Sequence, residues 1–109
     1  MTRETELYSP VKAFFTERGF SVRSEVRDCD LTAVKGEQLV IVELKTGFNL
    51  DLVLQGVERK RLCDDVYLAV PRPKGMRTRW RKIMRLCRAL GLGLLFVSPR
   101  GLVEAALHP

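Results

Sequence analysis

The sequence predicts an α/β domain built on a central mixed sheet flanked by helices. Three observations carry that expectation. Segments with apolar residues at helical spacing alternate with short β-branched runs, in the order α-β-β-β-α-β-α-β. At 109 residues the chain has the length of one domain with a single core. Its 46% hydrophobic and 29% charged residues suit a folded chain and not a disordered one.

Each element has its own reason. Residues 4–18 place Leu7, Val11, Phe14 and Phe15 at helical spacing, and Gly19 stands as a C-terminal stop. Residues 20–26 alternate Phe20, Val22 and Val26 with polar side chains, a strand pattern. A second strand, 29–35, turns at Lys35-Gly36-Glu37 into a third, 38–45. Within it Leu39, Val40, Ile41 and Val42 form an unbroken apolar run, the mark of a central strand. Gly47 and Asn49 break the pattern before a helix over 50–62, whose stripe is Leu50, Val53, Leu54, Val57 and Leu62. Residues 65–70 form a short buried strand closed by Pro71, and 71–75 are a loop. An amphipathic helix spans 77–90, with Trp80, Ile83, Met84, Cys87 and Leu90 on its apolar face. Gly91 and Gly93 lead into a strand over 94–98, and the turn at 98–101 leads into an edge strand over 102–107. There are no internal repeats and no linkers, so residues 1–109 read as one domain.

Charge is unevenly spread. Residues 1–70 carry ten Lys and Arg against twelve Asp and Glu, whereas residues 71–109 carry nine against the single acid Glu104. An acidic part followed by a basic part suits a polyanion laid across a cation-loaded acidic site. Arg77, Arg81, Arg85 and Arg88 recur along one helical face, and Arg72 and Lys74 add charge in the preceding loop. Such cations position a phosphate backbone without reading its sequence; Trp80 reads as core more than as a base-stacking platform. No apolar run approaches the roughly 18 residues of a membrane span. Met1-Thr-Arg-Glu-Thr-Glu lacks the apolar core of a signal peptide, so the expected location is the cytoplasm. Cys29, Cys63 and Cys87, widely spaced and without a Cys-x-x-Cys pair, read as reduced core thiols and not as a zinc site. His108 reads as a tail residue.

The stretch from Asp30 to Lys45 carries the chemistry. A carboxylate is followed by a central strand ending Glu43-Leu44-Lys45. Alternation puts Glu43 and Lys45 on one face, about 6.6 Å apart, with Leu44 on the other. A core strand has no structural reason to end with an acid and a base side by side, whereas metal-dependent phosphodiester hydrolysis does. Asp30 and Glu43, on adjacent strands, suit a hard cation such as Mg2+, with Mn2+ able to substitute and the Leu44 carbonyl as a third donor. Lys45 is then placed to orient the attacking water or to answer transition-state charge. Arg59, on the following helix, faces a phosphate.

With Asp30 and Glu43-Leu44-Lys45 as its signature, the chain resembles the PD-(D/E)XK nucleases of the restriction-endonuclease-like fold. Cys29 stands where the name motif has proline. The likeness extends to two groups. Archaeal Holliday junction resolvases share the spacing of a helical Glu, here Glu6, ahead of the Asp and Glu-x-Lys. Bacterial PD-(D/E)XK-type phosphodiesterases are similar from Glu43 to Pro71 and through the Arg-rich helix. The resemblance implies a three-layer fold, a Mg2+-dependent nuclease acting on DNA, and a supporting role for Gln55. It also implies an auxiliary acid at Glu6, for which Glu25 is the alternative. The resolvase likeness adds branched or structured DNA as substrate and a homodimer with one site per strand. Two rivals stand beside it: a nuclease-like module that binds nucleic acid without cutting, and an interaction module whose Glu43 and Lys45 form a surface ion pair.

Overall fold

The computed structural model describes residues 3–75 and 77–109. Met1 and Thr2, the head of the segment read as lacking a signal-peptide core, lie outside them, as does Met76. The elements run α1 (Glu4–Thr16), β1 (Ser21–Val26), β2 (Cys29–Lys35), β3 (Gln38–Leu44), α2 (Leu50–Arg59), β4 (Asp65–Pro71), α3 (Thr78–Leu90), β5 (Gly93–Val97) and β6 (Val103–Leu107). Six strands form one sheet in sequence order. β1 to β3 pair antiparallel, β3 to β5 pair parallel, and β6 returns antiparallel on β5. The parallel steps cross over through α2 and α3, as parallel neighbours require.

Period-two alternation divides the core into two layers. Val40, Val42 and Leu44 of β3 join Tyr67 and Ala69 of β4 and Leu95 and Val97 of β5 beneath Leu7, Val11 and Phe15 of α1. On the opposite face Ile41, Val66, Leu68, Val70, Leu94 and Phe96 pack against Leu52 of α2 and Ile83 and Cys87 of α3. The fold is thus α/β, a six-stranded mixed sheet with helices on both faces. Trp80 lies edge-on to both Phe48 and Phe96 and belongs to the core. No described helix is long and apolar enough to cross a membrane.

The helix after β3 differs from expectation. It ends at Arg59, and its buried residues are Leu52, Val53 and Gly56. Leu50, Leu54, Val57 and the flanking Leu62 are exposed. The cause is close packing at Gly56, where an added Cβ would stand 2.8 Å from a Leu68 methyl. Only glycine lets the helix approach the sheet this closely, and that contact rotates the leucine-rich flank outward. Asn49 starts the helix by accepting a bond from the Leu52 amide at 2.9 Å, and Gly91 ends α3 in the left-handed region. His108 is not a loose tail: its Nδ1 lies 2.7 Å from the Tyr67 hydroxyl.

Candidate functional site

β3 leaves the sheet centre at Glu43 and Leu44, and β2 enters it at Asp30. The backbone ladder between these strands extends to Leu31 opposite Val42. One position further, Asp30 faces Glu43, and side chains take over from the ladder. The Asp30 amide donates to Glu43 Oε2 at 3.0 Å, and the Leu44 amide donates to Asp30 Oδ2 at 2.8 Å. Each carboxylate therefore caps the other residue's strand end. Such amide-to-carboxylate bonds are charge-assisted and fix both groups in orientation.

The hairpin that delivers Asp30 is strained. Val26 pairs with Cys29 across a two-residue turn whose Arg27 and Asp28 both have positive φ, 51° and 65°. This is the backbone of a tight hairpin turn without the glycine such turns favour. Glu25, opposite Asp30, also has a positive φ of 52°. Left-handed backbone at non-glycine residues costs about 1–3 kcal/mol each and gathers at functional sites. Past the turn, regular alternation fails: Cys29 packs in the α2 layer and Leu31, two residues on, in the α1 layer. The irregularity is centred on Asp30.

Arg59, at the end of α2, braces this arrangement. Its Nη2 donates to the Asp28 carbonyl at 2.8 Å and lies 3.4 Å from Glu43 Oε1. Its Nε is buried without a partner among the described residues. Glu43 is 1% exposed, the one buried charged residue among the described residues. Burial pushes its carboxyl up from the ordinary range, and the neighbouring Asp30 charge acts the same way; the Asp30 amide and Arg59 oppose them. Burial also raises the Cys29 thiol beside the pair.

The remaining sequence-predicted residues fall in several places. Lys45 continues the β3–β4 ladder, its amide donating to the Ala69 carbonyl at 3.0 Å. Alternation therefore keeps it on the Glu43 face; it is half-buried, with no ion pair among the described residues. Gln55 is exposed one turn before Arg59. Glu6 is not brought to the carboxylates. It lines a cavity with Arg72, Lys74 and Arg100, whereas Glu4 and Glu25 line the cleft of about 340 Å3 that Asp30 and Leu44 border. The reason is helical phase: Glu6 lies about 200° around α1 from Glu4, and burial of Leu7, Val11 and Phe15 sets which of them faces the hairpin. Arg81, Arg85 and Arg88 stand exposed along α3, and Arg77 stands exposed at its N-terminal boundary without a side-chain capping bond.

Two reciprocally held carboxylates, one of them buried, leave an excess of negative charge met by a single guanidinium. Carboxylate oxygens are the donor type a divalent cation takes, and here they are engaged by the Asp30 and Leu44 amides and by Arg59. Among the described residues no group of three or more His, Cys, Asp or Glu is arranged around one point. Sequence reasoning placed Arg59 near phosphate and missed its pairing with Glu43. The signal available was the spacing of Arg59 from the buried Leu52 and Gly56, seven and three residues earlier, which puts it at the edge of the packed face of α2. Comparison with protein-family models, with curated proteins and with solved structures found no match to the chain.

Proposed function

We propose that the chain is a divalent-cation-dependent phosphodiesterase of the restriction-endonuclease-like fold, hydrolysing phosphodiester bonds in DNA, branched or structured DNA among them. The observation that carries this reading is the reciprocal clasp of Asp30 and Glu43 at the carboxyl end of β3, with Lys45 two residues on. Ligand sites in open α/β sheets favour the carboxyl ends of parallel strands. Asp30, Glu43 and the Leu44 carbonyl would hold Mg2+ or Mn2+, which when bound neutralises phosphoryl charge and lowers the pKa of water. Lys45 donates toward the attacking water or the phosphoryl oxygens, giving charge stabilisation where it develops. Exposed arginines of α3, with Arg72 and Lys74, supply salt-sensitive phosphate contacts. Glu4 and Glu25 replace Glu6 as candidates for the auxiliary acid.

The experiment is a panel of linear, nicked, flap, four-way and single-stranded substrates with wild type and Lys45→Ala, with and without Mg2+. Metal-dependent cleavage lost in Lys45→Ala supports the reading; equal cleavage by both proteins refutes it.

A second reading, a binding module without turnover, is favoured by one observation. Arg59 sits against Glu43 Oε1 while Asp30 borders a cleft on the α1 side of the sheet. A cation shared by the two carboxylates requires that guanidinium to yield. Salt-sensitive DNA binding without cleavage under any divalent ion would select this alternative. The homodimer implied by the resolvase likeness is part of the same proposal, and the exposed leucines of α2 offer it a surface.

A further inference from the structure

A second cavity, of about 740 Å3, opens on the α1 side at the carboxyl ends of β4 and β5. Three cations line it, drawn from two separate loops: Arg72 and Lys74 follow β4, and Arg100 sits between β5 and β6. Its only acid is Glu6, which makes no ion pair with any of them; the described ion pairs involve Arg59 and Arg61 alone. Three like charges around one hollow repel each other unless an anion completes them.

The loops are held in place by backbone. The Arg72 amide donates to the Val97 carbonyl at 2.8 Å, tying the end of β4 to the end of β5. Gly101 donates to the Ser98 carbonyl at 2.9 Å and the Leu102 amide to Ser98 Oγ at 3.0 Å, which closes the turn carrying Arg100. At Arg72 and Arg100 the ordering cost of anion binding therefore falls mainly on the side chains. Position narrows the ligand. β5 lies two strands from β3, about 10 Å across the sheet, a distance that a short stretch of nucleic-acid backbone spans. The cavity is thus a few nucleotides from the carboxylate clasp.

We propose that Arg72, Lys74 and Arg100 form a phosphate seat, which holds a backbone phosphate of a nucleic-acid strand a few nucleotides from Asp30 and Glu43. The seat rests on the nucleic-acid part of the proposed function and is independent of hydrolysis. Arg100 is its distinguishing member, because it stands apart from the arginine stripe of α3. Glu6 opposes the seat and limits its affinity.

The test is fluorescence anisotropy of labelled single-stranded and duplex oligonucleotides with the full chain in EDTA, across a salt series. Arg100→Gln is expected to weaken binding several-fold at moderate salt, uniformly across sequences, and to reduce the logarithmic salt slope by about 0.7–0.9. Arg72→Gln should do the same, Arg100→Lys should retain most of the affinity, and Glu6→Gln should tighten binding two- to five-fold. An unchanged slope in Arg100→Gln, with an unchanged melting temperature, overturns the seat. So does tight binding of inorganic phosphate that oligonucleotides fail to displace, which would make it a site for a free anion. Loss of slope in Arg100→Gln by a protein that never cleaves leaves the seat standing and removes the hydrolase reading alone.

Discussion

Replacing Arg59 by alanine isolates what the buried clasp depends on. At 3.4 Å the Arg59–Glu43 pair carries a gross attraction of about 5 kcal/mol at an effective dielectric of about 20. The bond to the Asp28 carbonyl adds about 1.5–3 kcal/mol for a charged donor. Against these stand roughly 2 kcal/mol of arginine side-chain entropy and the desolvation that the pair already bears. Arg59→Ala should therefore lower stability by about 2–4 kcal/mol in EDTA. For a domain of this size that is roughly 8–16 °C in Tm, since 1 kcal/mol corresponds to about 4 °C. Much of the loss is the cost of leaving Glu43 buried and alone. The double variant Glu43→Gln/Arg59→Ala should thus be more stable than Arg59→Ala, with a coupling of at least 1 kcal/mol in the cycle. The pH dependence has a definite sign. Glu43 has its folded-state pKa raised, so its contribution is fully present below the unfolded value and is lost as pH rises through the folded one. Removing Arg59 takes away a lowering influence and raises that value further. The deficit of Arg59→Ala should be smaller near pH 5 than near pH 8. Denaturant melts at both pH values measure it. Additive single variants, or a deficit independent of pH, refute the account of Arg59 as the counter-charge of Glu43.

Three further outcomes follow from other parts of the fold. Asp28 has φ 65° in a turn built for glycine, so Asp28→Gly should raise stability by about 0.5–1 kcal/mol, while a loss in urea melts would show the aspartate side chain to be needed. Cys87 is fully buried with its thiol pushed up to about 11, and Cys29 is 1% exposed, whereas Cys63 is half-buried. Iodoacetamide should label Cys63 first in the native protein, and mass spectra showing Cys87 alkylated as fast would contradict the packing of α3. Leu50 and Leu54 of α2 are 68% and 56% exposed; if they meet a second copy, Leu54→Glu should convert dimer to monomer without loss of Tm. Light scattering that finds wild type monomeric at high concentration removes that interface.

What the sequence made legible follows from period and punctuation. Strands β2 and β3 and the hairpin between them were readable because the apolar run 39–42 and Lys35-Gly36-Glu37 leave no other register; Lys35 indeed pairs with Gln38. Opposition of Asp30 to Glu43 then follows from counting outward along the same ladder. The helices were readable as elements but not in their rotation. A stripe drawn by hydrophobicity alone chose Leu50, Leu54 and Val57, because no hydropathy pattern shows that Gly56 is the point of closest approach to Leu68. Glu6 came from the resolvase spacing, which carries no information on helical phase; Glu4 and the alternative Glu25 line the Asp30 cleft.

That rotation is what links the fold to the site. Turning α2 on Gly56 brings Arg59, three residues further on the same flank, over the end of β3, where it meets both Glu43 and the Asp28 carbonyl. A larger residue at position 56 would lift the helix from Leu68 and Leu92 and draw the guanidinium from the clasp with it. The glycine, the arginine and the strained turn therefore act as one unit. Close packing permits the ion pair, the same guanidinium's bond to the Asp28 carbonyl restrains a left-handed turn, and the turn presents Asp30 to Glu43. An uncharged strand end would need none of the three. Their joint presence supports the proposal that the carboxylates at positions 30 and 43 serve a site.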